Sequence, residues 1–240
     1  MLNRIMPPGT LASQEPRTSS ASSLIRKLAN ILVVPGEVFE ETVSSALTLK
    51  NWLVPTALVC VTGLVLTRVA APKDQIAVTV AGLVSGGAVT TVQAESLSTH
   101  WQINSILLAC LGAFLGTFWS AFVLWSIGRW LLKSCFSFHK TLEIVGLAAT
   151  IIALGDIVTA LLIAASGDSA ARPALSLLVG GTGPTEVVYA SLRAVNFFQV
   201  WATAVLAIGL SKLSCASFKE AAFWVFGWWL VARLGLLLLA

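Results

Sequence analysis

Five stretches of this chain, residues 52–69, 103–127, 144–165, 194–210 and 221–239, are each about as long and as apolar as a lipid bilayer requires of a helix that crosses it. A hydrocarbon core of roughly 30 Å, at about 1.5 Å of rise per residue, asks for about 20 predominantly apolar residues. Within lipid every backbone N–H and C=O must be satisfied inside its own segment, so such stretches fold as helices. Composition agrees: 57% of the 240 residues are hydrophobic and 11% are charged, against about 25% charged in an ordinary soluble domain. The expected fold is all-α, a polytopic membrane bundle of five transmembrane helices with short interfacial helices. A net charge of +4 without a basic run excludes nucleic acid as a partner.

Charge sets the orientation. With five spans and the N-terminus inside, ten lysines and arginines fall on the inner side and four on the outer, which satisfies the positive-inside rule. Residues 75–94 are uncharged and long enough to cross, but a sixth span there would leave seven on each side, so they are read as part of an outer loop, 71–100. Thr90 and Gln93 in that loop form a capping box that opens a short helix, and two short surface helices are expected there. A second outer loop, 166–193, holds Pro184, Thr185 and Glu186 in the order of a helix start. Residues 7–23 mix Pro, Ser and Gly with no apolar period, so 1–30 is expected to be a mobile cytosolic tail and 31–240 the membrane domain. Met1 to Met6 is too short for a signal-peptide core, so insertion is expected to rely on the first span.

One carboxylate, Asp156, sits inside the apolar run "IIALGDIVTALL", where insertion scales charge it roughly 2.5–3.5 kcal/mol. Asp156 lies 14 residues beyond Leu142, and Arg233 lies 14 beyond Lys219, which puts both about 21 Å up from the inner side. Level with each other, they can neutralise one another if their helices are neighbours. Asn196 and Gln199, in the first turns of the fourth span, can donate to the same carboxylate. The expected feature is an intramembrane polar cluster of Asp156, Arg233, Asn196 and Gln199, serving as glue between helices in preference to a proton or ion pathway. A second arrangement stays open, in which Arg233 snorkels to the outer interface and Asp156 is protonated or bonded to amides.

In "GAFLGTFWS", Gly112, Gly116 and Ser120 repeat every fourth residue, a small-residue stripe suited to close helix packing, internally or against a second copy. Before the first span, "PGEVFEETVSSALTLK" places Glu37, Glu40 and Glu41 where the dipole of a starting helix favours negative charge. Phe39, Val43, Ala46 and Leu47 share one face at helical spacing, as in an amphipathic helix folded on the inner face of its own bundle. Nothing supports catalysis. His100 and His139 fall on opposite sides of the membrane, and no zinc-helix or nucleophile-turn motif occurs. Cys60, Cys110, Cys135 and Cys215 show no paired spacing, and Cys135 with His139 falls short of a metal site. No metal and no cofactor are expected.

From about residue 31 to 239 the chain resembles the Yip domain family, named for interaction with Ypt and Rab GTPases. The resemblance rests on "VVPGEVFEETV" followed by "NWLVP", on "FHKTLEIVGLA", on "NFFQVWATAVLAIGL" and on "SFKEAAFWV". It is closest in wording to the bacterial members and implies a five-helix domain with a cytosolic N-terminus. The eukaryotic members' D-L-Y-G-P segment is missing, since the sole tyrosine is Tyr189, so their trafficking role does not carry over. The expectation is a non-catalytic protein of the cytoplasmic membrane, C-terminus outside, that organises lipids or a membrane or cytosolic protein partner. The competing expectation is a small transporter or permease component built on the Asp156 cluster.

Overall fold

The structure, a computed structural model, describes residues 20–70, 91–169, 171–175 and 195–239, with side chains omitted at 20–22, 91–102 and 236–239. The helices among them are α1 (Ser20–Asn30), α2 (Pro35–Ser44), α3 (Lys50–Ala70), α4 (Thr91–Ser126), α5 (Phe138–Ser166), α6 (Phe197–Ser214) and α7 (Phe218–Leu239). Among the described residues four helical segments are long and apolar enough to cross a membrane: Lys50–Ala70, Ile103–Leu131, Phe138–Ser166 and Phe197–Ser214. The protein is an all-helical membrane bundle. α7 has 22 residues and carries Lys219, Glu220 and Arg233.

α5 is the centre of the bundle. It packs on α3, α4 and α6, while α7 packs on α6. Its most apolar stretch is 50% buried, against 17% for α4, whose Leu107, Leu108, Leu115 and Trp119 point outward. A helix apolar on every side belongs in the middle. Two glycines allow close approaches between helices. A Cβ at Gly146 would lie 2.3 Å from Trp52 Cα, and one at Gly209 would lie 2.3 Å from Ile144 Cγ2. Gly146 meets α3 where Pro55, lacking an N–H, leaves the Asn51 carbonyl without its helical donor.

Local chemistry sets the helix ends. The Ser137 hydroxyl accepts from Lys140 N at 3.3 Å to start α5, and Gly167, at φ +70°, ends it. α4 runs into a π-helical turn, Ile127–Leu131, where the Phe136 ring lies so close to Gly128 that a Cβ would collide with it.

Three expectations change. The outer segment from Thr91 is no separate surface helix: α4 is continuous for 36 residues, about 54 Å. Residues 71–90 and 184–186, where the remaining surface helices are expected, lie outside the described residues. Residues 20–30, expected in the tail, form α1. Leu24, Lys27, Leu28 and Ile31 recur at helical spacing, Ile31 is fully buried, and Lys27 pairs with Glu41 on α2 at 3.2 Å. The amphipathic helix also ends early. α2 buries Val38, Phe39 and Thr42 and stops at Ser44, so Val43 is half-buried, while Ala46 and Leu47 are exposed and outside the helix. Ser44 and Ser45 turn their hydroxyls back onto the carbonyls of Glu40 and Thr42, which competes with helix continuation.

Candidate functional site

At the end of the bundle covered by α2, Lys140 and Glu143 face each other across one turn of α5, 2.8 Å apart. Glu143 is 1% exposed. Its carboxylate also accepts from the backbone N–H of Thr48 and, at 3.5 Å, from the Asn51 amide. Lys140 spends its other two protons on the carbonyls of Thr42 (2.7 Å) and Ser45 (2.9 Å). The pair therefore ties down the end of α2, the connector behind it and the start of α3. A buried ion pair persists only when its remaining donors and acceptors are also satisfied, as they are here. Lys212 and Glu40 form a second bridge between α6 and α2, exposed and hence weak. Sequence reasoning missed Glu143 and Lys140 as a unit, counting Lys140 only toward topology. The available signal was a lysine and a glutamate three apart, "HKTLE", at the mouth of an apolar helix.

Toward the opposite end lies a cavity of about 340 Å³. α3 touches it with Val59, α4 walls it with Gly112, Gly116, Thr117 and Ser120, α5 and α6 floor it, and α7 closes one side with Trp229 and Arg233. The Arg233 guanidinium donates to the Gln199 side-chain oxygen and stands over the Trp229 ring, 5.6 Å from its centroid. A cation over an indole face gains about 0.5–2 kcal/mol. A second cavity of about 220 Å³ shares Ser120, Thr203, Leu206 and Trp229 with the first and continues toward the α2 end, past Ile127 and Val225. Together they form one cleft between α4 and α7, helices that scarcely touch each other among the described residues.

The expected polar cluster separates into parts. Gln199 and Arg233 meet. Asp156 does not join them: its only hydrogen bond among the described residues comes from the Thr62 hydroxyl, at 3.2 Å across the α3–α5 contact. The cause is the order of helices, since α6 stands between α5 and α7 and keeps the two residues apart. Asp156 does not line the cleft. Asn196 caps α6 instead, its side-chain oxygen accepting from Phe198 N at 2.9 Å. The small-residue stripe is also relocated. Among the described residues no atom lies within 4 Å of where a Cβ would stand at Gly112 or Gly116, so with Ser120 they hollow out the cleft wall where a helix contact was expected. α4 is instead joined to α3 by Thr117 and Thr56, whose hydroxyls lie 3.3 Å apart.

Compared with protein-family models, with characterised proteins and with solved structures, the chain matches none.

Proposed function

We propose that this is a five-span membrane protein of the Yip-like kind, N-terminus cytosolic and C-terminus outside, that organises lipids or protein partners in the cytoplasmic membrane without catalysing a reaction. The observation that carries the reading is the cleft between α4 and α7. Its walls are mainly apolar, and it lies between two helices that leave each other free. Such a space takes in a neighbouring molecule of the membrane sideways. The α2 end adds support: the Lys140–Glu143 pair fixes α2 on the bundle, with Glu37, Glu40 and Glu41 exposed along its outer edge. The ten-to-four division of positive charge supports a cytosolic α2 end.

A transport reading is favoured by one feature, a cation inside the span region at the wall of a cavity. It loses its proposed centre, because Asp156 lies outside that cavity. The deciding experiment is purification in mild detergent, with identification of the co-purifying lipids and proteins, beside flux measurements in liposomes. Stoichiometric lipid or protein without flux is the expected result. Solute flux that is lost in Arg233→Gln would replace the organiser with a transporter.

A further inference from the structure

The geometry points to the α4–α7 cleft as a binding site for one anionic phospholipid, its headgroup at Arg233 and an acyl chain laid toward the α2 end; this rests on the organiser reading above. The cleft has the two parts an amphiphile needs, in the right order. At one end stands a guanidinium whose described hydrogen bonding is confined to Gln199. Of its five N–H donors the others have no acceptor among the described residues, and no carboxylate there pairs with it. An arginine is the residue best shaped to grip a phosphate with paired, charge-assisted hydrogen bonds. From Arg233 the cleft runs to Val225, eight residues down α7 or about 12 Å, between apolar walls. Its larger chamber, about 340 Å³, falls within the range of small-molecule sites.

The entrance favours lipid over a water-borne solute. It lies between two helices, and exposed Trp119 and Trp228, one on each, flank the smaller chamber. Gly112 and Gly116 supply the room: each side chain they lack would have projected into empty space. Arg233 is the sixteenth residue of the 22-residue α7, so the head lies toward one membrane face and the tail toward the interior, as in a leaflet.

The test is native mass spectrometry of the full chain with phosphatidylglycerol or phosphatidylcholine carrying identical acyl chains. The expected result is one retained lipid per chain and a preference of about tenfold for phosphatidylglycerol. Arg233→Gln should abolish the preference and Arg233→Lys should keep part of it. Gly116→Leu should fill the chamber and remove the bound lipid while thermal unfolding stays cooperative. Equal retention of both lipids by the parent, unchanged preference in Arg233→Gln, or full retention in Gly116→Leu each overturns the site. So does a dimer that dissociates in Gly116→Leu, which would put a second copy in the cleft. If no lipid is retained but a stoichiometric protein co-purifies, the lipid site falls and the organiser reading stands. Anion flux in liposomes that Arg233→Gln removes overturns both.

Discussion

Lys140 and Glu143, 2.8 Å apart at the mouth of α5, hold the chain between α2 and α3 by its backbone as well as by each other. The contact differs from a surface bridge because what it secures is peptide: two carbonyls on the lysine and one N–H on the carboxylate. It converts the end of a central helix into an anchor for α2, which also rests on buried Val38, Phe39 and Thr42 and on the Lys27–Glu41 and Lys212–Glu40 bridges.

Truncating the acid should therefore be expensive. Glu143→Ala leaves the Lys140 ammonium without its counter-charge and the Thr48 N–H without an acceptor, and the expected loss is about 3 kcal/mol. Glu143→Gln keeps an acceptor and should lose less. Replacing both residues, as Lys140→Met with Glu143→Leu, should cost less than the two single changes summed. Thermal unfolding in detergent measures the losses, and faster proteolysis at residues 45–49 would report release of the connector.

Two glycines one helix apart should respond with opposite sign. Gly146→Ala forces a methyl group to within 2.3 Å of Trp52 Cα, a backbone atom that cannot swing away. Overpacking of this kind costs about 1–3 kcal/mol. Gly116→Ala meets nothing within 4 Å and gains helix propensity of up to about 1 kcal/mol. The pair of unfolding temperatures, one lowered and one level or raised, checks the assignment of contact and cavity. Two equal decreases would place Gly116 in a helix interface after all.

These glycines also mark the limit of what the sequence discloses. Apolar length alone located α3, α4, α5 and α6, because hydrocarbon thickness is a constraint each segment meets by itself. Spacing along one helix cannot say which neighbour it faces. Gly112, Gly116 and Ser120 read as a packing stripe, yet close contacts between helices fall to Gly146, Gly155 and Gly209, which no motif singles out. Counting along the chain suggested a level for Asp156 and Arg233 but could not tell adjacency, which depends on α6 standing between their helices. Likewise Ala46 and Leu47 kept the helical period of Phe39 after the helix had ended, because the termination comes from Ser44, Ser45 and a lysine 95 residues away.

Separation of Asp156 from Arg233 has a thermodynamic signature. Asp156→Asn retains an oxygen for the Thr62 hydroxyl and should change stability by less than about 1 kcal/mol. Arg233→Gln removes the bond to Gln199 and the contact with Trp229. With no shared partner among the described residues, the two changes should add to within about 0.5 kcal/mol. A coupling above about 1 kcal/mol in the double-mutant cycle would mean that the acid and base meet after all.

The native thiols can decide whether α7 crosses the membrane. Cys135 and Cys215 are exposed, and the loops that carry them touch where the Ser134 hydroxyl donates to the Ser214 carbonyl at 3.0 Å. They should therefore be labelled by a membrane-impermeant maleimide from one face only, the cytosolic one, while buried Cys60 stays unlabelled. α7 follows directly from Cys215, and its 22 residues reach about 33 Å, enough for a hydrocarbon core of about 30 Å. Its one deep charge, Arg233, is held by Gln199 and Trp229, which lowers the cost of insertion. Ala240→Cys should accordingly be labelled from the face opposite to Cys215. Labelling of both from the same face would reduce the crossings to four, lay α7 along the membrane surface and remove one wall of the cleft.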